Sequence, residues 1–138
     1  MKKTPLEYGK QACDAIMHRF TPQELPPEGS FFYHQGVFLS GMQNIYKLCG
    51  EEKYFQYVKD YVDSVIGPKG EVIGFCHELT TPQTPDLAKR ALTMLDHKQP
   101  SILLYDLLDR TGDSKYEKAI KTIAESMYFW PVNQYGGY

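Results

Sequence analysis

The sequence lacks any concentration of positive charge. Fifteen lysines and arginines are interspersed with seventeen acids, for a net charge of −2. That gives no footing for a nucleic-acid partner, which needs a basic stripe, nor for an anionic membrane surface. No run approaches the ~20 apolar residues of a membrane span. The opening Met1-Lys2-Lys3-Thr4-Pro5 has two lysines with no apolar stretch behind them, so it does not read as a signal peptide. The expected location is the cytoplasm. Cysteine is scarce: Cys13, Cys49 and Cys76 are odd in number and fit no zinc spacing. They read as reduced, partly buried thiols. A chain of 138 residues leaves room for one domain.

Aromatic rings are plentiful. Eleven Tyr, seven Phe and one Trp make up 14% of the chain, against 42% hydrophobic residues in all. Flat rings suit sugar clefts, because pyranose C–H groups pack on a π face. Rings also carry much of the packing of ordinary cores, and most of these are expected there.

Local signals along the chain predict helices. Thr4-Pro5 starts the first, with Thr as cap and Pro at the first helical position, and apolar Leu6, Ala12, Ile16 and Phe20 mark one face. Three prolines and a glycine make residues 21–29 a loop or single capped turn. A second helix is predicted from about His34 to Cys49, stopped by Gly50. A third runs from about Glu51 to Ile66, with Tyr54, Tyr57, Val58, Tyr61, Val62 and Val65 at helical spacing. Glu71 to Cys76 reads as a short extended piece, and Thr80 to Arg90 as loop. A fourth helix begins near Asp96 or Gln99-Pro100 and ends at about Arg110. A fifth spans Ser114 to Tyr128.

An internal repeat sets the expected fold. Gly50-Glu51-Glu52-Lys53-Tyr54 aligns with Gly112-Asp113-Ser114-Lys115-Tyr116 at an offset of 62, and apolar positions mostly keep the register. The unit is long loop, helix, glycine turn, helix. One hairpin cannot bury its own apolar faces, so such units stack. Short turns at one rim and long loops at the other suit an all-α toroid of helical hairpins. The site is then expected at the long-loop rim, where Tyr33, His34 and Gln35 start one helix and Asp96, His97 and Gln99 start its counterpart. Five helices do not close a ring. The open apolar flank is therefore expected to be covered, most simply by a second copy in a homo-oligomer.

Phe32-Tyr33-His34-Gln35-Gly36-Val37-Phe38-Leu39-Ser40-Gly41 resembles a motif of glycoside hydrolase family 105, the unsaturated rhamnogalacturonyl hydrolases. So do Leu95-Asp96-His97-Lys98-Gln99-Pro100, the Thr111-Gly112-Asp113 turn with Tyr116, the Glu24-Leu25-Pro26-Pro27 loop, and Trp130-Pro131 with Gly136-Gly137-Tyr138. The related family 88 of unsaturated glucuronyl hydrolases shares the fold. The resemblance implies an incomplete (α/α)6 toroid of about five helices, with no cofactor and no metal. It implies an oligosaccharide ending in a 4,5-unsaturated uronic acid, left by a polysaccharide lyase acting on pectin, as substrate. An Asp of the family protonates the enol ether and water adds to it, unlike the displacement of ordinary glycosidases. Asp96 matches an active-site Asp, Tyr33 a substrate-contacting Tyr, and His34 and Gln99 lie in the same motifs. The family's principal general acid and its companion His fall past Tyr138, so the chain is expected to be a fragment with little activity alone.

The residues themselves leave other readings open. Asp96 at a helix start is also a plain N-cap. Tyr33 is also a buried ring with a bonded hydroxyl, and His18 and His77 read as structural or solvated. Stacked hairpins also make binding scaffolds of the tetratricopeptide type, but those repeat near 34 residues with short turns on both sides. A self-associating, non-catalytic product of a truncated gene, or another (α/α) toroid acting on sugars, such as an epimerase or lyase, remains an alternative.

Overall fold

The computed structural model describes residues 2–73, 95–126 and 133–136. Among them are five α-helices: α1 Pro5–Arg19, α2 Tyr33–Cys49, α3 Glu52–Val65, α4 Ile102–Thr111 and α5 Ser114–Ser126. The all-α expectation holds. The expected loop at Thr80–Arg90, Cys76, His77 and the Trp130-Pro131 motif lie outside the described residues.

Helix ends follow the local chemistry. Thr4 and Glu7 form a capping box: Glu7 N–H donates to Thr4 Oγ1 at 3.2 Å, and Thr4 N–H donates to Glu7 Oε2 at 2.6 Å. The Thr4 N–H and the Thr4 hydroxyl, which both donate to Glu7 Oε2, hold the Glu7 carboxyl below its usual range. Gly50 and Gly112 end α2 and α4 in the left-handed conformation, at φ 71° and 66°. Of the extended piece expected from Glu71 to Cys76, residues 71–73 are among those described, and there Val72 forms a single antiparallel bridge with Ile66.

The start of the fourth helix differs from expectation. Leu95–His97 and Gln99–Ser101 are 3-10 turns, and the α-helix begins only at Ile102. Pro100 has no N–H to give, and Ser101 N–H bonds back only three residues, to Lys98 O at 2.9 Å. Asp96 therefore sits in a 3-10 turn and does not cap α4.

The helices form two rows. α2 and α4 stand side by side, and α3 packs against both. α3 buries seven residues, from Tyr54 to Val65. Leu39 and Met42 of α2, Leu103, Leu104 and Leu107 of α4, and Tyr116 and Ala119 of α5 complete the core, each fully buried. Each of the leucines and Met42 contributes about 1.5–3 kcal/mol by leaving water. Three tyrosines of α3 tie neighbouring backbone or acids with their hydroxyls: Tyr57 to Phe20 O at 2.9 Å, Tyr61 to Ser30 O at 2.7 Å, and Tyr54 to Asp14 at 3.0 Å. At the rim of short turns, Arg110 joins Glu52 at 2.6 Å and lies over the Phe55 ring at 4.1 Å.

Candidate functional site

The first turn of α2 and the 3-10 turn Leu95–His97 meet at the long-loop rim. Phe32 is the hub. Its ring centroid lies 4.9 Å from that of Tyr33, 5.1 Å from His34 and 5.2 Å, edge-on, from His97. Tyr33 and His34 lie 3.9 Å apart at 31°. Residues more than sixty positions apart in sequence thus share one aromatic cluster. Tyr33 is 38% exposed, so the buried-ring reading of it does not hold. His34 and Asp96 are also exposed, whereas His97 is fully buried.

Gln35 and Gly36 set how closely the two segments approach. Gln35 is buried, and its Nε2 donates to Pro27 O at 2.6 Å and Leu25 O at 3.3 Å, pinning the proline loop to α2. Gly36 faces the Gln99–Ser101 turn. A Cβ on it would lie 1.8 Å from Gln99 Oε1 and 2.9 Å from Pro100 Cα. Sequence reasoning gave Gln99 a possible contact with substrate. The structure places its amide against α2, with Oε1 buried and without a hydrogen-bond partner among the described residues. Phe32 and Gly36 were not singled out from sequence; a glycine in the first turn of a helix was the available signal for close approach.

His97 is the electrostatic oddity. Neither of its ring nitrogens has a partner among the described residues. Burial lowers its pKa from 6.5, with Asp96 opposing and Lys98 adding to the effect. The ring is held neutral, and Lys98 beside it, bonded to Ser126, is likewise pushed down by burial. A His with a lowered folded pKa binds fewer protons folded than unfolded, so stability falls as pH drops below 6.5. The urea midpoint of the wild type is expected to decrease between pH 7 and pH 5, and that of His97→Leu to change less. Equal pH slopes for the two proteins would rule out a buried neutral His97.

The cluster offers an exposed carboxylate, Asp96, on a turn built against an exposed Tyr33–His34 pair. That suits a flat sugar face with a proton-handling acid near it. A cavity of about 200 Å³, lined by Tyr46, Phe55, Asp106 and Arg110 among others, lies at the opposite rim. There Asp106 bridges Lys47 at 2.6 Å and Arg110 is tied to Glu52, which leaves those groups committed to structure.

Comparison with known proteins bears on this geometry. The family model of Glycosyl Hydrolase Family 88 matches residues 8–138. A solved structure of a glycoside hydrolase from family 105, from C. acetobutylicum ATCC 824, has the same fold, with a TM-score of 0.71 at 22% identity. The match covers 92% of this chain and 31% of that one, so this chain spans about a third of its length. No helix among the described residues is long and apolar enough to cross a membrane.

Proposed function

The chain belongs to Glycosyl Hydrolase Family 88, and we propose that it supplies part of the cleft of a cytoplasmic unsaturated glycuronyl hydrolase. Its substrate is an oligosaccharide ending in a 4,5-unsaturated uronic acid, with rhamnose as the leaving sugar. The observation that carries this reading is the meeting of Tyr33–His34 with the Asp96–His97 turn around Phe32.

In the reaction, C4 of the unsaturated ring takes a proton, and the oxygen of water bonds to C5 and returns its own proton to a base. The C5 hemiketal so formed opens by breaking its bond to the ring oxygen, which takes the hydroxyl proton as C5 becomes a ketone; the hemiacetal left at C1 then collapses to an aldehyde and releases the second sugar, which carries off the proton. Asp96 holds water or substrate for that protonation. Tyr33 offers its ring to the sugar face. His34 orients Tyr33 from the stacked position. Gln99 acts from behind, by fixing the turn that carries Asp96.

Proton transfer from a general acid contributes roughly 10²–10⁴-fold. The motifs that carry the resemblance do not include the family's principal acid, and turnover by these residues alone is expected to be lower by about that factor. The test is an unsaturated disaccharide ending in rhamnose. Its addition should shift the NMR signals of Tyr33, His34 and Asp96 and leave those around Arg110 in place. Tyr33→Ala should weaken binding by about 3–10-fold, the size of one ring contact. Equal shifts with the saturated disaccharide, or none with either, would sink the reading. Full turnover of the disaccharide by the chain alone, seen as loss of the enol-ether ultraviolet absorbance, would contradict the fragment part of it.

A further inference from the structure

Lys98 is a buried amine that the chemistry at the long-loop rim leaves unused. It is only 9% exposed, and a lysine is seldom buried. Its Nζ reaches across to α5 and donates to Ser126 Oγ. Ser126 in turn donates to Ile123 O at 2.6 Å, so its hydroxyl proton is already spent and its oxygen meets Lys98 with a lone pair. A hydroxyl oxygen carries no charge, so this bond holds a neutral amine as well as an ammonium ion. Burial pushes the Lys98 ammonium towards the neutral form. The titratable groups around it are Asp96 and His97 in its own turn and Tyr105 on α4. On the side of α5 it faces Ile120, Ile123, Ala124 and Ser126, none of them charged.

A space adjoins this amine. Lys98 lines a shallow cavity of about 160 Å³ between α4 and α5. Tyr105, 57% exposed, stands on one side, and Ile120, Ile123 and Ala124 form the other. A hollow of about 150 Å³ holds one benzene ring. The space therefore suits a single flat ring with a short substituent, and its apolar walls favour an uncharged nucleophile over a cation.

We propose that Lys98 is a reactive amine in this groove and takes small single-ring aldehydes as an imine. The Nζ lone pair bonds to the aldehyde carbon, and one N–H proton passes to the carbonyl oxygen to give a carbinolamine. The nitrogen then forms the C=N bond as the hydroxyl leaves with the second N–H proton, as water. No oxidant or reductant is consumed. The ring of the aldehyde lies against Tyr105 and the α5 wall. The proposal is independent of the reading of Asp96 and Tyr33, which lie at the other site.

The test treats the full chain with benzaldehyde and cyanoborohydride, which reduces each imine to a stable benzylamine, and reads the modified lysines by peptide mass. Lys69, exposed in the turn after α3, serves as the reference. Lys98 should be labelled about 10-fold faster than Lys69, as a desolvated amine in an apolar pocket is. Its rate should level off at a lower pH than that of Lys69, because its ammonium is the easier to deprotonate. Ala124→Trp, a change at an exposed position, should fill the groove and remove most of the labelling of Lys98 while leaving Lys69 unchanged. With glyceraldehyde, which has no ring, the preference for Lys98 should fall by about 3–10-fold, the size of one ring contact. No preference for Lys98 with benzaldehyde, whatever covers the amine, overturns the proposal. So does a Lys98 rate that rises with pH in step with that of Lys69. An undiminished preference with glyceraldehyde or in Ala124→Trp would leave a reactive amine without a ring site, and would overturn it equally.

Discussion

Gly70→Ala is expected to be among the most damaging single-methyl changes in this chain, costing about 2–4 kcal/mol and lowering the melting temperature by about 10 °C. Two separate effects add. Gly70 has φ 82°, a conformation that costs an L-residue about 1–2 kcal/mol. A Cβ there would also lie 2.5 Å from Lys118 Cβ, 2.8 Å from Ala119 N and 2.9 Å from Lys115 O. Two of those atoms are backbone of α5 and cannot swing aside. The turn at residues 67–70 closes through Gly70 N–H to Gly67 O at 2.9 Å, so it cannot easily retreat either. Gly112 supplies the control. It has φ 66°, but nothing lies within 4 Å of its Cβ position. Gly112→Ala should show the backbone cost alone, about 1 kcal/mol. Equal losses for the two variants, read from urea unfolding, would mean that the loop after α3 does not press on α5.

Asp63→Ala is the second large effect, at about 2–3 kcal/mol. Asp63 accepts from Lys59 at 2.6 Å, Lys115 at 2.8 Å and Tyr116 at 2.6 Å. Tyr116 is fully buried, so removing the acid strands its hydroxyl, and the cost is that of an unsatisfied buried donor. Burial works to raise the Asp63 pKa, but bonds from Lys115, Lys59 and Tyr116 outweigh it and hold the group below 3.8. A depressed carboxyl stabilises the fold above its unfolded pKa, and that stability is lost as pH falls through the lower folded value. The wild type should therefore lose stability below about pH 4. Asp63→Ala should be weaker at pH 7 and flatter in that acid range. The matching change Asp14→Ala also takes the partner of the buried Tyr54 hydroxyl, but that bond ends on an exposed acid where water can replace it, so it should cost less, about 1 kcal/mol. Lys53 and Asp14 have side chains 45% and 47% exposed, and water screens such a pair. If both variants lose the same amount, burial does not distinguish the two clasps.

Much of the fold was legible before the structure because its signals are local. Thr4-Pro5 with Glu7, Gly50 and Gly112 act within one helical turn, and each ends or starts a helix where the sequence implies. The fourth helix was harder. Asp96 and Gln99-Pro100 look like starts, but the N–H that Pro100 lacks and bonds reaching back only three residues make that stretch two 3-10 turns. At the site, motif position singled out Tyr33, His34, Asp96 and Gln99, and the structure brings Tyr33 and His34 to the turn of Asp96. Phe32, at the centre of that cluster, was not singled out, because nothing in a lone Phe says which rings it will touch.

The sequence by itself determined the five helices, the two glycine turns and the 62-residue repeat, since capping, backbone freedom and helical period are read within a few residues. Only the tertiary structure decided which acid each lysine–tyrosine pair grips. Asp14 and Asp63 are not one repeat apart; the position 62 residues after Asp14 is Cys76, so no alignment of the chain with itself pairs them. The burial of His97, the exposure of Tyr33 and the need for glycine at positions 36 and 70 were decided in the same way. Each depends on the distance between segments far apart in sequence, and packing fixes that distance only when the whole chain has folded.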